Sequence, residues 1–193
     1  MKKLLWLPID LPKFPINDFT VDIETTWNFW NFGKITESRP SPYDVTQIKQ
    51  TILDKHPELG AWFNLFPFKT IRNIKFNIQQ SEVVEHIDFT RPEANPDLFS
   101  NNNQNEPCGY RIVIAGARQN KMYVTDTNVR TYVDMPDDTD VYVLRHTDGL
   151  HGVDDELGRI TIFTHFEIDP IKHNLLIERS LLKYGSHAVW SNT

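Results

Sequence analysis

The chain has 193 residues, with 26 acidic and 20 basic side chains, a formal net charge of −6, 39% hydrophobic and 12% aromatic residues, and one cysteine. That length fits one domain with a sizeable core, and the aromatic content sets it apart from disordered chains. The acidic balance argues against a general nucleic-acid or anionic-membrane binder, which needs clustered Lys and Arg, and a single cysteine excludes an intrachain disulfide and a cysteine-built zinc site.

At the N-terminus, Met1-Lys2-Lys3-Leu4-Leu5-Trp6-Leu7 stops at Pro8 and Asp10. This is too short for the apolar region of a secretion signal, and no other run approaches the roughly 18 apolar residues of a membrane span. The expectation is a soluble, cytoplasmic protein with neither membrane nor nucleic acid as partner. Residues 1–40 combine Pro8, Pro12 and Pro15 with Trp6, Phe14, Phe19, Trp27, Phe29, Trp30 and Phe32. They read as an arm that packs aromatics on the core, the alternative being one wall of a substrate pocket.

Ser41-Pro42 supplies an N-cap and first-turn proline for a helix carrying Val45, Ile48, Ile52 and Leu53, which His56-Pro57 should end. From Phe68 the texture becomes that of short strands. Segments 68–78, 83–89, 110–115, 121–126, 140–144 and 159–168 are each bounded by Gly, Pro, Asn or Asp, the pattern of an all-β sandwich or barrel. Residues 93–107, polar and Asn-rich, read as a loop or lid. Asp169-Pro170 repeats the helix-start pattern. Ile171, Leu175 and Leu182, with Ile177, Leu181 and Tyr184, give the helix a broad apolar face, and Gly185 is placed to stop it. A single domain is expected over 1–193: an arm and helix at 1–67, a β core at 68–169 and a C-terminal helix at 170–185.

The chemistry-bearing residues begin with His86 and Asp88. On a strand, residues i and i+2 project from one face, so an imidazole and a carboxylate converge with Ile87 buried behind. They supply two of the three ligands of a facial triad for non-haem iron. The pair alone carries little weight, since His146-Thr147-Asp148 repeats it. Residues downstream add to it: His151, 65 residues on, is a candidate third ligand, with His146 competing for that place. Arg159 and Thr161 share a face of the next strand, and a guanidinium with a hydroxyl suits a carboxylate. His56, His165, His173 and His187 read as surface or hydrogen-bonded residues. Asp134, Asp137, Asp138 and Asp140 lack the spacing of a calcium loop and read as a solvated turn. Cys108 reads as packing.

Taken together, His86-x-Asp88, His151-Gly152-Val153, Arg159-x-Thr161 and the strand Gly109-Tyr110-Arg111-Ile112-Val113-Ile114 resemble the 2-oxoglutarate- and Fe(II)-dependent dioxygenases. The nearest texture is the aspartyl/asparaginyl β-hydroxylase-like group, which includes proline hydroxylases. The resemblance covers residues 68–169. It implies a mainly β double-stranded β-helix, or jelly roll of the cupin type, with flanking helices. It also implies Fe(II) on His86, Asp88 and His151, and 2-oxoglutarate held at its distal carboxylate by Arg159 with Thr161 assisting. Arg111 would then hold co-substrate or substrate. The implied activity is hydroxylation of an amino acid, a peptide side chain or a related small metabolite. Two other classes compete: a cupin-like metalloenzyme that does not use 2-oxoglutarate, and a β-sandwich binding or structural module with no enzymatic role.

Overall fold

Four consecutive apolar residues followed by a proline do not form an appendage here; they form a buried strand paired on both sides. The computed structural model describes residues 2–15, 57–78, 82–87, 109–115, 121–146, 149–154 and 159–192. Within them, β1 (Leu4–Pro8) is buried along its whole length. It is followed by α1 (Pro57–Phe63), β2 (Phe68–Ile78), β3 (Val83–His86), β4 (Gly109–Ala115), β5 (Met122–Asp126) and β6 (Val129–Tyr132). The remaining elements are β7 (Val141–Leu144), β8 (Leu150–Val153), β9 (Ile160–Ile168), α2 (Pro170–Tyr184) and β10 (Val189–Trp190). The protein is mainly β, with two antiparallel sheets and few helices. No described helix is long and apolar enough to cross a membrane.

One sheet has the order β10-β1-β7-β4-β9-β2, the other β3-β8-β5-β6. The pairing is nested. β5 pairs with β6, β4 with β7, β3 with β8 and β2 with β9, alternating between the two sheets. The innermost hairpin turns through Thr127 and Asn128, both at positive φ (49° and 66°). Two such central residues make the primed turn whose twist suits a two-residue hairpin.

Alternation along the strands separates two cores. On β7, Val141 and Val143 face the helix side with Tyr110 and Ile112 of β4 and Leu176 and Ile177 of α2. Tyr142 and Leu144 face the opposite way, joining Trp6, Val113, Met122, Val124 and Val153 in the second core, which draws on both sheets. An aromatic group of Trp62, Phe63, Phe66 and Phe68 seals the first core against Tyr110. Trp62 Nε1 also donates to Pro12 O at 2.9 Å.

Several expectations are corrected. The N-terminal stretch is a sheet member, with β1 between β10 and β7, so the sheets extend beyond residues 68–169. Pro57 opens a helix that the sequence reading did not place, α1, where its missing N–H costs nothing. The N-cap of α2 is as expected: Asp169 accepts from the N–H groups of Ile171 and Lys172. Its apolar face is as expected in part: Ile177 and Tyr184 are buried and Leu181 packs against the first core. Ile171, Leu175 and Leu182 point to solvent, Leu182 being 90% exposed, while His173, Leu176, Ile177, Ser180 and Tyr184 are buried. The helix is rotated so that Ser180 and His173, a small and a polar residue, are fully buried beside Leu176 and Ile177. Gly185 caps it in right-handed geometry (φ −59°), so its left-handed freedom is unused. The helix expected from Ser41, the loop 93–107, His56, Asp88 and Cys108 lie outside the described residues.

Candidate functional site

The site is assembled by a register shift. β3 and β8 are antiparallel, with Val83 opposite Val153 and His86 opposite His151. Counted from Val83, a regular ladder brings Glu85, not His86, to His151. One extra residue in β3 reverses this, as a β-bulge does when it re-aims a side chain beside a functional site. Glu85 turns to the other face of the sheet, where it accepts from Thr125 Oγ1 and pairs with Arg130.

The two imidazoles lie 4.4 Å apart, centroid to centroid, tilted by 51°. Each is anchored by its Nδ1 to a carbonyl two residues back: His86 to Val84 O at 2.8 Å and His151 to Gly149 O at 3.0 Å. A carbonyl only accepts, so both Nδ1 atoms carry the proton. In the neutral rings the lone pair is then on Nε2, the arrangement by which proteins orient metal-ligating histidines. His151 is buried and His86 half-buried. Val124, directly opposite His151 on β5, belongs to the second core. Both rings therefore lie on the face turned toward the other sheet.

On that other sheet, Arg111, Thr161, Arg159 and Tyr142 occupy the matching face. Val113, two residues from Arg111, belongs to the second core and is registered with Thr161, and Arg111 is registered with Tyr142. Arg159 is buried just before β9; its Nη2 donates to Tyr142 Oη at 3.1 Å and lies 3.9 Å from Met122 Sδ. Arg111 is also buried, and its Nη1 donates to Tyr110 O at 3.1 Å. Two interior guanidiniums and two interior hydroxyls thus share one wall, and a guanidinium fork is the chemistry that pairs with a carboxylate. A His pair facing it suits a divalent cation of intermediate softness.

Gly152, between His151 and Val153, is required by a close approach. A Cβ there would lie 2.8 Å from Val83 O and 2.6 Å from Tyr123 Cζ. Tyr123 covers this glycine from the directly opposite position on β5, and Arg130 stacks on its ring at 4.2 Å. Burial raises the Tyr123 phenol above its usual range, with Arg130 opposing.

The structure thus brings His86 to His151 and places Arg111, Arg159 and Thr161 on one face. Among the described residues no group of three His, Cys, Asp or Glu side chains is poised for a metal, and Asp88 is outside them. Ile87, expected to be buried behind the pair, is 42% exposed; β3 is an edge strand, so its back is open. His146 sits at the end of β7, with its Nδ1 3.4 Å from Leu144 O and its ring against Gly109. His173 is buried against Tyr110 Oη at 2.8 Å, and burial pushes its pKa down to about 4. The aspartates diverge: Asp134 pairs with His187, Asp138 with Lys183, and Asp140 accepts from the Phe14 N–H. Tyr142 escaped the sequence reading, although pleat alternation from Leu144 places it on the interior face. No family model matches the chain, and no curated protein matches it.

Proposed function

We propose that the protein is a cytoplasmic Fe(II)- and 2-oxoglutarate-dependent oxygenase on a jelly-roll core, hydroxylating an amino acid, a peptide side chain or a related small metabolite. The nested pairing of eight strands, β2 with β9 inward to β5 with β6, supports the jelly-roll reading, because a long hairpin rolled into two sheets pairs in that way. The observation that carries the function is the opposition of His86 and His151, each with Nδ1 anchored to a carbonyl. Asp88, two residues beyond His86, supplies the carboxylate of the triad in this reading.

When bound, iron and 2-oxoglutarate supply O₂-derived oxidising power: one oxygen atom enters the substrate C–H bond as hydroxyl, and the other leaves in succinate as the co-substrate loses CO₂. The residues of this chain do the rest. His86 and His151 present Nε2 lone pairs in fixed orientation. Arg159 pairs with the distal carboxylate of the co-substrate, and Thr161 adds a hydroxyl donor. Arg111 adds a second interior cation for the substrate or co-substrate. The apolar second core keeps bulk water from this wall, which strengthens each charge pairing.

Anaerobic Fe(II) titration with and without 2-oxoglutarate, on wild type and His151→Ala, tests the reading. The expected result is a weak visible charge-transfer band that needs both additions and vanishes in the variant. Folded wild-type protein that gives no band overturns the proposal. Activity that needs the metal but not 2-oxoglutarate would instead support a cupin-like enzyme.

A further inference from the structure

The four-stranded sheet has two unlike edges. At one, β3 carries a register shift and the exposed charges of Glu82 and Glu85, devices that keep an edge strand from pairing with another chain. At the other, among the described residues, stands β6. Its sequence, Val129-Arg130-Thr131-Tyr132, holds no proline and no lysine. Its register with β5 is unbroken, and all of it is exposed, with Val129 at 57% and Tyr132 at 49%. Its one charge, Arg130, is drawn back over the Tyr123 ring of β5.

The ladder fixes what that edge offers. The Val133 N–H donates to Met122 O at 2.9 Å, so Met122 and Val133 are a hydrogen-bonded pair. Bonded and non-bonded pairs alternate along antiparallel strands. Thr131 with Val124 and Val129 with Asp126 are therefore bonded pairs, whereas Tyr132 with Tyr123 and Arg130 with Thr125 are not. The backbone N–H and C=O of Arg130 and Tyr132 thus point away from β5, along the open edge.

We propose that β6 pairs antiparallel with β6 of a second copy of this chain, about a two-fold axis at Thr131, joining the two four-stranded sheets. Two residues, two apart and each with an outward donor and acceptor, match their own copies in that register. Arg130 meets Tyr132 of the second copy, Tyr132 meets its Arg130, and every outward group is answered. The side chains agree with the backbone. Thr131 faces Thr131 of the second copy in the close, non-bonded position, where threonines hydrogen-bond each other. Val129 comes opposite Val133 of the second copy on the second-core face. On the other face Arg130 lies beside the Tyr132 phenol of the second copy, which donates to its own Asp154 at 2.6 Å. Within one chain Arg130 meets Glu85 and Asp154 at 3.6 and 3.8 Å, beyond hydrogen-bond length, so the Asp154 of the second copy adds attraction. An unrelated strand would satisfy the backbone but not these matches. The edge is short, and interfaces below about 1,200 Å² are weak, so the dimer belongs to concentrated solution. None of this depends on the activity proposed above.

Sedimentation velocity over a concentration series reaching the millimolar range tests it, with hydrogen exchange read by NMR at both ends of the series. Wild type should move from monomer toward dimer. The amides of Arg130 and Tyr132 should slow as it does, while those of Val129 and Thr131, already bonded to β5, stay as they were. Because residue 131 meets itself, Thr131→Lys and Thr131→Glu should each weaken self-association about fivefold or more, equivalent to about 1 kcal/mol. An equimolar mixture of the two should recover wild-type association. Should either variant fail to fold, the exchange pattern of wild type decides alone. A wild type that stays monomeric throughout overturns the proposal, as does association that leaves the Arg130 and Tyr132 amides fast. Folded variants that associate as wild type does overturn it too. If an unrelated strand-forming peptide slows those amides while the chain stays monomeric, the edge belongs to a foreign strand and self-pairing is refuted.

Discussion

His173→Asn should flatten the acid limb of the stability profile. The His173 ring is 1% exposed, bonded through Nδ1 to Tyr110 Oη, and its Nε2 makes no hydrogen bond among the described residues. Burial holds the native ring neutral down to about pH 4, against 6.5 for an ordinary histidine. Between those values the unfolded chain binds a proton that the native chain refuses, so stability falls as pH falls through that window. The contribution is fully present above pH 6.5 and fully lost near pH 4, where the native ring also protonates. At about 1.4 kcal/mol per tenfold difference in proton affinity, the loss is about 3 kcal/mol. Asn places an amide where Nδ1 stood and does not titrate. Urea unfolding of both proteins from pH 7.5 to pH 4 checks this, since every other titrating group cancels in the difference. Wild type should lose about 3 kcal/mol relative to the variant between pH 6.5 and 4. A difference that stays constant across that range refutes the argument.

Packing sets two further outcomes. Gly152→Ala must push against Val83 O and the Tyr123 ring; the overpacking should cost about 1–3 kcal/mol and lower Tm by several degrees. A Tm within a degree of wild type would contradict it. On α2, Leu176→Ala should cost about 2–5 kcal/mol and Leu182→Ala less than about 0.5, since Leu176 is 6% and Leu182 90% exposed; chemical denaturation of the two distinguishes this orientation from the opposite one.

Much of the sheet could be read from alternation and turn chemistry: β2, β3, β4, β5, β7 and β9 lie where the apolar patterns and breakers put them. Four strands were invisible for physical reasons. β1 is buried on both faces, so it has no alternation to detect. β6 is exposed throughout and comes after a Thr-Asn turn rather than an Asn-Gly one. β8 contains Gly152, which reads as a breaker until Tyr123 is seen to cover it. β10 is only two residues long. Periodicity found the helix at 170–184 and placed Ile177, Leu181 and Tyr184 inward, but misplaced Ile171, Leu175 and Leu182, because the buried stripe includes His173 and Ser180. At the site, spacing suggested His86, His151, Arg159 and Thr161. The tautomers and the Arg159–Tyr142 bond depend on register, which no local pattern encodes.

The extra residue in β3 has a consequence for how such a site is gained or lost. Side chains on a strand have only two directions, so a one-residue change of register acts as a binary switch rather than a gradual adjustment. With the bulge, an imidazole meets His151 and a carboxylate meets Thr125; the same residues paired regularly from Val83 would exchange the destinations of Glu85 and His86, whereas deleting one residue between Val83 and His86 would equalise the two strands and keep His86 opposite His151. The side chain that faces His151 is therefore set by register as much as by residue identity. A relative that kept every one of these amino acids but paired regularly from Val83 would lack the His pair, while one shorter by a residue between Val83 and His86 would keep it on an unbulged strand.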